Sequence, residues 1–136
     1  MKVQCLTSYP DELQLKSLGK KFYRRQFFKI TPGNEYLVIA LQLGVDLKMF
    51  GTGPVVHILN DDGRLSAAPL CLFKIVEPTP SVLWKAHVDG LGNIKLWPTL
   101  FYREFYLEDL FEDMPDAVAE FNKLYSALQS EETVRR

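Results

Sequence analysis

Glu35-Tyr36-Leu37-Val38-Ile39-Ala40-Leu41-Gln42-Leu43 decides the fold. The run is rich in β-branched and aromatic residues and follows the turn pair Pro32-Gly33, so it is expected to be a buried strand. C-terminal to it, Val55 to Leu59 forms a second strand pattern. Asn60-Asp61-Asp62-Gly63 then supplies a hairpin turn, because Gly takes the positive φ such loops need. Leu70 to Val76 is a further strand, stopped by Glu77-Pro78-Thr79-Pro80, and Val82 to Val88 and Asn93 to Trp97 flank the loop Asp89-Gly90-Leu91-Gly92. On the N-terminal side, Gln26 to Ile30 and Lys2 to Leu6 are candidate strands, and Asp11 to Leu18 a helical turn with Gly19 near its end. Short strands at this spacing predict a small, strongly bent antiparallel sheet or an SH3-like barrel, with the strand-rich core over about residues 26–98.

The character changes after residue 100. Phe101, Phe105, Leu107, Leu110 and Phe111 stand among acids as one helical segment. Asp113 is placed to cap a second helix with Pro115 in its first turn, and Val118, Phe121, Leu124, Tyr125 and Leu128 fall on one face. The helices are expected over about residues 101–129, with fraying from Ser130. The fold class is therefore α+β: one domain over residues 1–136, long enough to bury a single proper core.

Apolar residues at 47% and charged residues at 24% belong to an ordinary globular chain and exclude a disordered one. The net charge of -1 hides an asymmetry. Lys16, Lys20, Lys21, Arg24, Arg25 and Lys29 form a basic stretch without an acid. Glu104, Glu108, Asp109, Glu112, Asp113, Asp116 and Glu120 form an acidic stretch without a base. Cys5 and Cys71 sit in apolar runs as small hydrophobes, without the spacing of a zinc site. No apolar run reaches the roughly 20 residues of a membrane span, and no signal-peptide core is seen, so a cytoplasmic protein is expected.

Residues capable of chemistry are present, but no spacing brings them together. His57 and His87 lie inside strand patterns, with no nucleophile or orienting partner implied. Asp61-Asp62 lacks the remaining ligands of a calcium loop, and Gly90-Leu91-Gly92 leads into a strand rather than a phosphate-binding helix. No enzyme, cofactor or metal is expected. Aromatics interleave the bases from Lys20 to Lys29, a pattern that suits single-stranded nucleic acid and equally an ordinary half-buried element. The isoelectric point near 6.1 argues against the former. Among the acids, Glu108 and Glu112, Asp109 and Asp113, and Glu112 and Asp116 are like-charged pairs four apart, each weakening a helix by about 0.2–0.5 kcal/mol. Such a cluster suits a cationic partner, so Glu108, Asp109, Glu112, Asp113 and Asp116 are the candidate partner-binding residues.

Phe28-Lys29-Ile30-Thr31-Pro32-Gly33-Asn34-Glu35-Tyr36-Leu37-Val38, the run Pro69 to Val76, Ser81 to Trp84, and Trp97-Pro98 followed by Phe105-Tyr106 together resemble small bacterial immunity proteins of contact-dependent inhibition and related polymorphic toxin systems. The likeness covers about residues 26–125 and consists of core and turn residues. It implies a cytoplasmic, non-enzymatic protein that binds and occludes a cognate toxin domain, often a nuclease, without assigning any binding residue. A small nucleic-acid-binding β-barrel module is the alternative.

Overall fold

The structure, a computed structural model, describes residues 1–18, 28–46 and 51–135. Its chain order is β1 (Lys2–Cys5), α1 (Glu12–Leu18), β2 (Glu35–Leu37), β3 (Ala40–Leu43), β4 (Val45–Asp46), β5 (Gly51–Thr52), β6 (Val55–Leu59), β7 (Leu65–Pro69), β8 (Phe73–Glu77), β9 (Trp84–Val88), β10 (Ile94–Pro98), α2 (Tyr106–Phe111) and α3 (Pro115–Arg135). Single 3₁₀ turns, Leu70–Leu72 and Thr99–Tyr102, precede β8 and follow β10. The class is α+β. One antiparallel sheet has the order β2-β1-β8, a second β7-β6-β3-β10-β9, and β4 and β5 form a small ribbon.

The stretch 35–43 is two strands joined by a sheet-to-sheet switch. The Val38 N–H donates to the Met1 carbonyl at 3.0 Å, and the Ile39 N–H to the His57 carbonyl at 2.8 Å. The backbone thus passes from β1 to β6 in two residues. Val38 packs into the core between the sheets, with Val3, Val56, Ile58 and Leu72. Ile39 and Ala40 point into a second core, under the helices, with Phe101, Tyr106 and Phe121. Because the chain is covered on both faces here, the sequence is continuously apolar rather than alternating. The expected barrel is not formed among the described residues: the strands divide between two sheets, and β7 and β9 stay at opposite edges of the larger one.

Two strand assignments also shift. Leu70–Leu72 turns as a 3₁₀ helix before β8 because Pro69 enters at φ -61° and the Leu70 N–H donates to the Pro54 carbonyl. Phe28 to Ile30 is not a strand, and Gln26 and Phe27 lie outside the described residues. Asp11 and Gln14 start α1 by reciprocal bonds, each side chain accepting from the other's backbone N–H at 2.8 and 2.9 Å.

The hairpin turn at Asp61 is also a tie. Thr31 Oγ1 and the Tyr36 hydroxyl each donate to the Asp61 carboxylate at 2.6 Å, and the Asp61 N–H donates to the Lys29 carbonyl at 2.9 Å. Hydrogen bonds from Thr31 and then Tyr36 hold this carboxyl below its usual range. Asp61→Ala strands the hydroxyl of buried Tyr36 and is expected to cost about 1–3 kcal/mol in urea denaturation. Because the folded-state value is depressed, the carboxylate's contribution is complete above its unfolded value near 3.9. It fades as pH falls through the folded value, and Asp61→Asn should lack that acid-dependent component.

Against the expectation of fraying, α3 continues to Arg135. Ala117, Phe121 and Leu128 bury its apolar face, and Glu132 near its end is only 3% exposed. The Glu132 carboxylate pairs with the Met1 ammonium, while Glu131 Oε2 accepts from Ser81 Oγ and the Val82 N–H, each at 3.2 Å. The segment before β1, the end of α3 and the segment before β9 are thereby fixed to one corner of the fold.

Candidate docking surface

Two residues with left-handed backbone frame α2. Phe105 precedes it at φ 61° and Asp113 follows it at φ 57°. Asp113 does not cap α3. Its N–H donates to Leu110 and the Met114 N–H to Asp109, both at 3.0 Å, which is the six-to-one and five-to-two pattern that closes a helix C-terminus. Asp is one of the few non-glycine residues that tolerates this position, and the tight closure sets Asp116 in the first turn of α3, where the helix dipole favours an acid.

Glu108, Asp109, Glu112, Asp113 and Asp116 are all exposed, the first two on α2, the next two in the turn that ends it and Asp116 in the first turn of α3. They are not equally available. Asp113 meets Arg64 of the β6–β7 hairpin at 3.1 Å. Arg103 makes a two-pronged pair with Glu120, at 2.7 and 2.8 Å, holding that carboxylate below its usual range, and its own charge is further favoured by nearby Asp109. Glu108, Glu112 and Asp116 have no ion pair among the described residues. Arg64 is far from the acids in sequence, and Arg103 stands just before the acidic run, more than a helical turn from Glu108, which is why chain spacing showed no base paired with them.

Sequence reading missed the apolar half of this surface. Phe105 is 65% exposed, Phe111 55% and Met114 48%. The clue is the adjacent pairs Phe105-Tyr106 and Leu110-Phe111. On α2 Leu110 and Phe111 point about 100° apart, and Phe111 is exposed while Leu110 is buried; Phe105, just before the helix in the left-handed conformation, is exposed beside buried Tyr106. Tyr106 and Leu110 enter. The Tyr106 hydroxyl donates to the Ala117 carbonyl at 2.7 Å, and burial, reinforced by Glu120, pushes its pKa up to about 12. Arg103 lies 5.0 Å over its ring. Beneath the exposed residues α2 is therefore firmly seated.

The other candidates stay apart. β3 and β10 separate the strands of His57 and His87. His57 packs edge-on to Trp97, with ring centroids 5.8 Å apart, and lies directly across from the small Ala40 on β3. Burial, then the charge of Lys95, lowers its pKa to about 4. The partly buried neutral ring contributes fully above its unfolded value near 6.5, and stability should drain away as pH falls from there to about 4. A loss on the order of 2–3 kcal/mol across that window is expected in denaturation at stepped pH, and His57→Phe should flatten it. His87 is exposed, edge-on to Tyr102 at 6.0 Å.

Asp89 folds its own loop, accepting from the Leu91 and Asn93 N–H groups at 2.8 and 3.0 Å. Of the basic stretch, Lys29 pairs with Asp62 at 2.6 Å, Lys16 is exposed, and Lys20, Lys21, Arg24 and Arg25 lie outside the described residues. Cys5 and Cys71 are free, and burial pushes both thiols up. Among the described residues no group of three or more His, Cys, Asp or Glu is placed to hold a metal ion, and no helix is long and apolar enough to cross a membrane.

The chain matches no family model, no curated protein and no solved structure.

Proposed function

We propose that this chain is a non-catalytic protein-binding domain whose α2 surface docks a basic protein. The observation that carries the reading is the coincidence, on one short helix and its flanking turns, of three exposed large apolar side chains with Glu108, Glu112 and Asp116, which have no ion pair among the described residues. Aromatic residues and Met are enriched at the centres of protein interfaces, where they supply affinity, while surrounding charges supply rate and selectivity. Phe105 adds a backbone conformation that bulky residues rarely adopt, a feature that concentrates at functional positions. Occlusion of a basic toxin domain by an immunity protein is the form of this function that the sequence resemblance implies, and it places the protein in the cytoplasm of the cell it protects.

The test is affinity capture from the native cell with two baits, the wild-type protein and Glu108→Lys/Glu112→Lys/Asp116→Lys. A basic protein held by the first and absent from the second supports the reading. Equal capture by both folded baits moves the interface elsewhere.

A further inference from the structure

Beside the acidic surface runs a groove of about 300 Å³ between the β6–β7 hairpin and α3. Its floor is apolar, formed by Leu59, Leu65, Val118 and Phe121, with Phe111 and Asn122 at its mouth. The volume lies at the low end for ligand-binding clefts and is that of a seat for one large side chain. Two ion pairs stand at its rim. Arg64 of the hairpin reaches Asp113 beyond the end of α2, and Lys29 holds Asp62. The side chains of Arg64 and Asp113 are 59% and 65% exposed, so that link adds little stability and opens easily.

We infer that this groove seats a large apolar side chain flanked by arginine on the docked partner, and that the partner's arginine takes over Asp113 from Arg64. The inference rests on the α2 docking reading and adds its anchor. Charge selects the occupant. The acids that line the groove are Asp62 and Asp113, both exposed, so an apolar residue with basic neighbours satisfies floor and rim together, whereas acidic neighbours would face the carboxylates. Arg64 is then a competitor of the partner rather than a contact. That fixes an unusual sign: removing this surface base should strengthen binding.

The probes are two capped peptides, Arg-Arg-Trp-Arg-Arg and Arg-Arg-Ala-Arg-Arg, titrated into the 136-residue chain by two-dimensional NMR. The Trp peptide is expected to bind roughly 10-fold more tightly, as a buried aromatic anchor should, with its shifts centred on Leu65 and Val118. Asn122→Trp, at an exposed position, fills the groove mouth and should erase the difference while leaving charge-driven binding of the Ala peptide intact. Arg64→Ala should tighten both peptides by about 2–5-fold. Equal affinities for the two peptides overturn the groove anchor. So do Trp-peptide shifts that avoid the groove in the wild-type protein, a result that does not depend on any variant folding. Weaker binding by Arg64→Ala overturns the exchange at the rim. If neither peptide binds, the groove inference fails, while the α2 reading is judged separately by charge reversal against the captured partner.

Discussion

Glu132→Ala is expected to destabilise the protein by about 3–5 kcal/mol, enough to remove much of the margin of a small domain. Glu132 is 3% exposed, and its carboxylate pairs with the Met1 ammonium, itself largely buried. Two charges taken out of water add little net stability while they compensate each other. Removing one leaves the other buried and uncompensated, and that is the large term. Three pieces of the chain meet at this corner: β1, the end of α3, and through Glu131 the segment at Ser81 and Val82 that leads into β9. Loosening it therefore affects both sheets. In urea unfolding the midpoint should drop sharply with the slope unchanged, and the melting temperature should fall by about 10–20 °C. A loss below about 1 kcal/mol would show that solvent reaches the pair freely and that α3 is held by its apolar face alone.

The same corner shows where sequence reading runs out. Val55 to Leu59 and the hairpins at Gly63 and Gly92 were legible, because turn chemistry and strand composition are local. The bend at Val38–Ile39 was visible only as an uninterrupted apolar run. That run says both faces are covered but not that the covering elements change from one residue to the next. Fraying is expected from Ser130 because chain ends are usually poorly ordered, and Glu132 falls within that stretch. Its partner is a terminal ammonium at the far end of the chain, which no local pattern reveals. The candidate surface divides similarly. The five acids stood out as a run, whereas the exposure of Phe105 and Phe111, and the use of Asp113 to end α2, depend on which neighbour enters the core.

Charge reversal at Glu108, Glu112 and Asp116 is expected to have the largest effect on function. The three carboxylates are exposed and have no ion pair among the described residues, so lysine at these positions should leave the protein folded, at a cost of about 1 kcal/mol that comes mainly from Asp116 at the start of α3. A field of this kind speeds association by about 10- to 1,000-fold, and reversing it turns attraction into repulsion. Phe105, Phe111 and Met114 remain in the variant, so whatever apolar contact they make survives and the dissociation rate should change less than the association rate. The most direct measurement is the association rate constant with the captured partner, for both proteins, at about 0.02 M and about 0.2 M ionic strength, where screening lengths differ about threefold. The wild-type rate should fall steeply with salt, and the reversed variant should associate at least about 10-fold more slowly at low salt, with the gap narrowing at high salt. A folded variant that associates at the wild-type rate at both salt concentrations would contradict docking through α2.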